Sequence, residues 1–126
     1  MIEHRKFGEI ADLKLRREAW IESATPLYRT DIDADVVVGN DAFIRNYNLG
    51  TCILGACIAP QMRSERSLEQ ISRQSLDHIS FRVFLSGTSD LQVDGRSFEL
   101  KPGDLQVLDM SQWMRSNSHG SKPVIH

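Results

Sequence analysis

Three arginines and two aromatic residues are the side chains of this sequence best suited to holding a small organic molecule. Arg45, Arg82 and Arg115 can each grip a carboxylate through two parallel hydrogen bonds. Tyr47 and Trp113 can supply flat apolar walls, since pockets in the mouths of β-barrels are mostly apolar with a few polar groups that orient the ligand. We predict that these residues bind a ligand. The alternative is that the aromatic side chains fill the core and the arginines extend into water.

Histidines, which would serve acid–base or metal chemistry, are scattered at positions 4, 78, 119 and 126. A nucleophile elbow of the form G-x-S-x-G is also missing from the sequence. We therefore expect no catalytic residues, no cofactor and no metal site. His78 falls on the polar face of a predicted strand, where a hydrogen-bonded surface histidine is the simpler interpretation.

Cys52 and Cys57 are five residues apart, so they point in opposite directions if one continuous strand carries both. We expect free thiols rather than a disulfide, as is usual in a reducing compartment. A nucleophilic cysteine beside a histidine stays open as an alternative.

Length and composition favour one soluble globular domain over residues 1–126. The chain is 40% hydrophobic and 25% charged, and it contains no apolar run near the roughly 18 residues of a membrane helix. Its net charge of -2 argues against DNA binding by this chain alone, because nucleic-acid binders usually carry a basic surplus. The charged N-terminal segment lacks the apolar centre of a secretory signal. We expect a cytoplasmic protein with no membrane partner.

A helix is predicted over residues 8–24, ending at Thr25 and Pro26. Its apolar stripe would consist of Ile10, Leu13, Trp20, Ile21 and Ala24. The charged residues 14, 16, 17, 18 and 22 would lie largely elsewhere.

Most of the remaining chain reads as β-structure. Residues 42–60 form one long bent strand or two short ones, with Gly50 and Gly55 marking a bulge or corner. The type of the polar segment 61–77 stays open between a short helix and a loop. Residues 77–87 alternate: one face carries Ile79, Phe81, Val83 and Leu85, and the other carries His78, Ser80, Arg82 and Phe84.

Two tight turns follow within residues 93–109. Asp94-Gly95 predicts a type I′ hairpin, which would set Val93 opposite Arg96 and Leu91 opposite Phe98. The same register opposes Asp90 to Glu99, a like-charge pair that favours a solvated face or a slightly longer loop. A second reversal is predicted at residues 101–104. Short strands separated by such turns are typical of an all-β sandwich or barrel, here with one helix packed outside.

The segment LKPGDLQVLD, residues 100–109, resembles the second half of a cupin motif. The wider run 76–116 is similar to the ligand-sensing domain at the N-terminus of AraC-type bacterial transcription regulators. Shared features are a strand ending in glycine, the DG hairpin, the L-x-P-G-D turn, and an aspartate followed by a short polar loop. Upstream, the helix containing Trp20 and the pair Arg66-Ser67 extend the resemblance to most of the chain.

This resemblance implies a mostly β fold, a cupin-like jelly-roll β-barrel with one N-terminal helix packed outside. It also implies a non-catalytic domain that senses a small-molecule effector, forms a homodimer, or does both. DNA would be bound only through a C-terminal helix-turn-helix domain that is absent from this sequence. We expect the chain to stop within a barrel strand and to self-associate through the unpaired edge.

Two other functions remain as alternatives. A cupin-type enzyme, such as an isomerase or an oxygenase, would resemble catalytic cupins, which carry two histidines one residue apart, a glutamate, and a third histidine after the P-x-G turn. Residues 104–115 contain no histidine where that third ligand would fall. The second alternative is a purely structural dimerisation module with a packed interior.

Overall fold

The computed structural model describes residues 2–74, 78–119 and 123–125. Its strands are β1 (Ile2–Lys6), β2 (Arg29–Asp31), β3 (Phe43–Asn48), β4 (Ile53–Ile58), β5 (Met62–Arg66), β6 (Ile79–Phe84), β7 (Ser89–Val93), β8 (Arg96–Leu100), β9 (Leu105–Asp109), β10 (Met114–Ser118) and β11 (Pro123–Ile125). Its helices are α1 (Leu13–Ala24) and α2 (Leu68–Gln74), with a 3-10 turn at Phe7–Glu9. The predicted mostly β class with an N-terminal helix is confirmed.

The strands form two antiparallel sheets. The larger sheet has the order β1-β3-β4-β11-β6-β9, and the smaller sheet has the order β2-β5-β10-β7-β8. Each sheet, as far as its strands are described, ends at two edge strands, so the pairing does not close a barrel. Neither described helix has the length and apolar character needed to cross a membrane.

The predicted helix ends where expected but begins later. Asp12 starts α1 by accepting hydrogen bonds from the backbone N–H groups of Lys14 and Leu15, at 2.9 and 3.1 Å. Residues 7–9 form the separate 3-10 turn instead, so the predicted start at residue 8 is wrong. Thr25 is the C-cap, as the following proline favours.

The predicted stripe of α1 is also wrong at two positions. Leu13 is 48% exposed, whereas Arg16 is 4% exposed and lies on the buried face with Trp20. Arg16 is tolerated there because its guanidinium donates to four acceptors: Ile10 O at 2.9 Å, Val38 O at 2.9 Å, Asn40 Oδ1 at 3.0 Å and Gly8 O at 3.4 Å. The charge thereby holds the loop after β2 against the helix.

Residues 42–60 contain two strands rather than one. Gly50, with φ +94°, lies in the turn between β3 and β4, where Leu49 N donates to Cys52 O at 2.9 Å. The segment left open at 61–77 contains β5 and then α2. Ser67 and Gln70 form a capping box at the start of α2, because each side chain accepts from the other's backbone N–H at 3.1 to 3.2 Å.

The hairpin at Asp94-Gly95 is confirmed in turn type and register. Asp94 and Gly95 have φ values of 51° and 72°, and Val93 pairs with Arg96 and Leu91 with Phe98. The second reversal is closed by Lys101 N, which donates to the Asp104 carboxylate at 2.7 Å.

The like-charge pair predicted in this hairpin is present and solvated. Asp90 lies opposite Glu99, and both are exposed. Asp90 contacts His119 at 2.6 Å, and Glu99 lies 3.9 Å from the Lys101 ammonium. Each carboxylate thus has its own partner of potentially opposite charge, so no longer loop is needed.

Two apolar clusters form the core. The inter-sheet core joins strands of both sheets and consists of Phe84, Leu91, Leu100, Leu108, Met110 and Met114. The helix core lies against α1 and consists of Phe7, Trp20, Ile32, Val38 and Ala42. Because the inter-sheet core includes Phe84 of β6 and Leu108 of β9, it fixes which face of those strands points inward.

Candidate functional site

The inner face of the larger sheet carries polar residues next to the inter-sheet core. Arg82 on β6 and Gln106 on β9 are register partners. They alternate with the residues that face outward, so they share the inward face with Phe84 and Leu108. Gln106 is 5% exposed, and Arg82 is half-buried. The sheet therefore presents an amide and a guanidinium to the space between the sheets.

The inner face of the smaller sheet carries a crosswise row of hydroxyl groups. Thr30 pairs with Ser64, and Ser64 pairs with Ser116 on the next strand. All three residues are buried, with exposed fractions of 5 to 7%. Met114 lies two residues before Ser116 and belongs to the inter-sheet core, so this row also faces the space between the sheets.

Thr30 differs from an ordinary buried threonine. Its Oγ1 atom is buried and has no hydrogen-bond partner within the described part of the chain. A buried hydroxyl in this condition costs about 1 to 3 kcal/mol, and such groups are rare in folded proteins. The Thr30 hydroxyl thus has hydrogen-bonding capacity that the described residues do not use.

Cys57 on β4 lies close enough to Arg82 for their charges to interact. Burial raises the pKa of the Cys57 thiol, and the positive charge of Arg82 opposes this rise. The thiol is therefore neutral at physiological pH and is a weak nucleophile. Neither Cys52 nor Cys57 forms a disulfide, as predicted.

The inward-facing polar groups of the two sheets are of the types that hydrogen-bond anionic or hydroxylated molecules. A guanidinium supplies the charge for a carboxylate, and the amide and hydroxyls can both donate and accept. Residues 2–74, 78–119 and 123–125 contain no group of three or more histidine, cysteine, aspartate or glutamate side chains placed to hold a metal ion.

The five residues predicted to bind a ligand lie in three separate places, and Arg82 alone among them faces the space between the sheets. Arg45 lies on the outer face of β3, opposite in direction to Ile44, which packs against the helix core. Tyr47, two residues further along, shares that outer face and is half-buried.

Arg45 lines a cleft of about 320 Å³ on the outer surface, together with His4, Lys6, Asp41 and Phe43. The Arg45 guanidinium lies 5.6 Å from the centre of the Phe43 ring. Loss of solvent, followed by the positive charges of Arg45 and Lys6, lowers the pKa of His4. The cleft is open to water and combines positive groups with carboxylates of Glu9 and Asp41.

Trp113 and Arg115 lie on the outer face of the smaller sheet around Glu65. The Trp113 indole donates to Glu65 Oε1 at 3.0 Å, and Arg115 lies 3.7 Å from Glu65 Oε2. The Arg115 guanidinium also stacks 5.5 Å from the Trp113 ring centre. These contacts tie β10 to β5 on the surface.

Sequence reasoning missed Thr30, Ser64, Ser116 and Gln106 as inward-facing residues. In LQVLD, the apolar Leu105 and Val107 look like the buried face, yet each is 56% exposed. Hydroxyl residues in a strand are usually taken as solvent-facing. The sequence does place Gln106 two residues before Leu108, so the two side chains lie on the same face of the strand. This spacing becomes informative only once Leu108 is known to be buried.

Comparison with known proteins rests on three-dimensional structure. No family model and no curated protein sequence matches this chain. Among solved structures, the AraC-like transcriptional activator CuxR is similar, with a TM-score of 0.84 and 18% sequence identity. The two chains share a fold. The match covers 99% of this chain and 46% of CuxR, so this chain spans less than half the length of that protein.

Proposed function

We propose that this chain is the effector-sensing domain of an AraC-type transcription regulator and that it performs no chemistry. The observation that carries the proposal is the buried polar layer between the sheets, with a cationic Arg82 and an unsatisfied Thr30 hydroxyl. A shared fold with an AraC-like activator supports the assignment to a regulator. The two sheets would be those of a cupin-type jelly roll, which the DG and L-x-P-G-D turns favour.

The proposed ligand is a small organic anion that also carries hydroxyl groups. Arg82 would bind its carboxylate, and Thr30 and Gln106 would bind its hydroxyls. Ligand binding by Arg45, Tyr47, Trp113 and Arg115 stays a prediction, and it would take place on the outer faces of the sheets rather than at this site.

Regulation would follow from differential affinity. An effector that binds one conformation of the domain more tightly shifts the population toward it, by no more than that difference in affinity. DNA binding would belong to a helix-turn-helix domain outside residues 1–126, in a cytoplasmic regulator.

The test is thermal unfolding of the purified chain against a panel of hydroxylated carboxylates, sugars, aromatic acids and divalent metals. A molecule that binds only the folded state raises the unfolding midpoint in a saturable manner. We expect such a rise with a hydroxylated carboxylate and a loss of the rise in Arg82→Gln.

Thr30→Val separates binding from stability, because it replaces the unsatisfied hydroxyl with a methyl group of similar size. We expect the unliganded midpoint to stay unchanged or to rise, and the ligand Kd to increase about 3- to 10-fold. Arg63→Gln, at an exposed position of β5 where Arg63 pairs with Asp33, is the matched control and should leave Kd unchanged. The proposal fails if no organic compound raises the midpoint, or if metal alone does so.

A further inference from the structure

Strands β1 and β3 carry three basic side chains on the outer face of the larger sheet. His4 lies directly opposite Arg45, and Lys6 lies directly opposite Phe43. Because residues two apart on a strand share a face, these four residues form a square with Phe43 at the fourth corner. Side chains that lie directly opposite each other in an antiparallel pair have Cβ atoms about 4.5 to 5.5 Å apart. The three basic groups are therefore neighbours in space.

The Phe43 ring holds two of these groups in place. The Arg45 guanidinium lies 5.6 Å from the centre of the ring. The His4 ring meets the same ring edge-on, with 6.0 Å between the ring centres and an angle of 80° between the planes. Both contacts are attractive and favour one orientation of each side chain. A guanidinium and an imidazole are thus held beside one aromatic ring.

The square is the floor of the cleft of about 320 Å³ on the outer surface, which we call the β1–β3 cleft. The 3-10 turn and the loop 39–41 form its wall. Arg16 donates to both, to Gly8 O at 3.4 Å and to Asn40 Oδ1 at 3.0 Å. Gly8 approaches the loop so closely that a Cβ atom on it would lie 2.0 Å from Asn40 O. The wall is therefore rigid, and little order has to be created when a ligand binds.

Among the described residues, no ion pair neutralises the basic groups of the cleft. The salt bridges there involve side chains other than His4, Lys6 and Arg45. Asp41 lines the cleft, but its carboxylate lies against the backbone of Gly39, where an added Cβ atom would be 2.6 Å from Oδ1. Like charges that face each other across two strands are unfavourable. A bound anion would remove this repulsion.

The electrostatic surroundings of His4 are positive. Loss of solvent, followed by the charges of Arg45 and then Lys6, lowers the pKa of His4, whereas the Glu9 carboxylate raises it by less than either cation lowers it. An anion in the cleft would raise this pKa, since a nearby opposite charge favours the protonated imidazole. Binding of an anion is therefore coupled to uptake of a proton by His4.

We propose that the β1–β3 cleft binds a phosphate group, either as free phosphate or as part of a small phosphate ester. A guanidinium, an ammonium and an imidazolium around one cleft suit a dianion with three terminal oxygens, whereas a planar carboxylate can be satisfied by Arg45 alone. A volume of about 320 Å³ also leaves room for a small organic group beside the phosphate. The cleft is on the outer face of the sheet, so this site is independent of the effector site proposed between the sheets.

The test is titration of the purified chain with inorganic phosphate and with glycerol phosphate, followed by amide NMR shifts at a constant ionic strength of about 0.15 M. We expect saturable binding, with the largest shifts within residues 4–9 and 40–45. A lower Kd for the ester identifies a phosphorylated organic molecule as the ligand, and equal Kd values identify free phosphate. Acetate that binds as tightly as phosphate overturns the proposal, and so does the absence of saturable binding.

Arg45→Gln and Lys6→Gln should each raise the Kd for phosphate about 10-fold, because each removes a charged hydrogen-bond donor. Arg5→Gln is the matched control, since Arg5 lies between His4 and Lys6 on β1 but points to the opposite face and pairs with Glu3 at 3.0 Å. Its Kd should equal that of the wild type. Phosphate binding that Arg45→Gln and Lys6→Gln leave intact overturns the assignment to this cleft, provided that thermal unfolding shows the variants to be folded.

The role of His4 has a separate readout. Sulfate stays a dianion between about pH 7.5 and about pH 5, the range in which histidine gains its charge. We expect the sulfate Kd to fall as the pH is lowered, because His4 becomes a cation, and we expect His4→Gln to abolish this dependence. The His4 ring signals should also titrate at a higher pH when sulfate is bound. A sulfate Kd that does not change with pH contradicts the participation of His4 and overturns the proposed three-group site.

Discussion

At the scale of single residues, arginine serves two different purposes in this protein. Arg66 is 0% exposed and donates from Nε to Met110 O at 2.6 Å and from Nη1 to Leu27 O at 2.8 Å. It thereby ties the turn after β9 to the segment before β2. Arg82 is half-buried and faces the polar layer between the sheets. The first arginine is part of the scaffold, and the second is the residue that we propose binds the effector.

Arg66→Met should strongly destabilise the fold, because it leaves the carbonyls of Met110 and Leu27 without their donor. We expect the free energy of unfolding, measured by urea titration, to fall by about 3 kcal/mol. Arg63→Met on the same strand is the control. Arg63 pairs with Asp33 at 2.8 Å on the surface, and its loss should lower the free energy of unfolding far less than the loss of Arg66. Equal losses in the two variants would contradict the scaffold role of Arg66.

The sequence did not indicate the buried hydroxyls or the buried arginines, and ligand binding by Arg82 stays a prediction. Arg16 and Arg66 were not expected inside, since a buried charge is stable only when carbonyl acceptors converge on it. For Arg16 those acceptors include Val38, which is distant in sequence. No local pattern reports such a convergence.

At the scale of elements, the tight turn could be predicted from its residues, but the face of a strand that points to the core could not. The Asp94-Gly95 hairpin agrees with prediction to the residue, because the positive φ values of a type I′ turn are a local requirement. The alternation in β6 was also correct. The alternation does not tell which face of β6 points inward, because both faces repeat every two residues. Packing in the inter-sheet core decides between them.

Gly95→Ala should weaken the hairpin, since φ at this position is +72° and a Cβ atom is disfavoured there. The space around it is open, so the cost comes from the backbone alone. We expect a loss of about 1 kcal/mol in the free energy of unfolding. Ser97→Ala, at an exposed position of β8, should change it by less than about 0.5 kcal/mol. If the two variants are equally stable, the turn does not need glycine.

At the scale of the whole molecule, the fold class could be predicted but the order of strands could not. Short strands with turns between them indicated a mostly β domain with an N-terminal helix, as observed, whereas α2 was left open. The sheet order depends on pairings between distant segments, such as β1 with β3 and β2 with β5. These pairings are decided by packing across the molecule rather than by the residues next to each strand.

The position of β11 has a consequence for the order of folding events. This strand lies between β4 and β6 in the larger sheet, although about half of the chain separates it from β4. The hairpin of β7 and β8 can form as soon as its own residues meet, whereas the larger sheet stays in two parts until β11 arrives. Closing so long a loop is slow, because its entropy is lost before the contacts form. Until β11 pairs with them, β4 and β6 therefore each keep one unpaired edge, which makes the partly folded chain prone to aggregation.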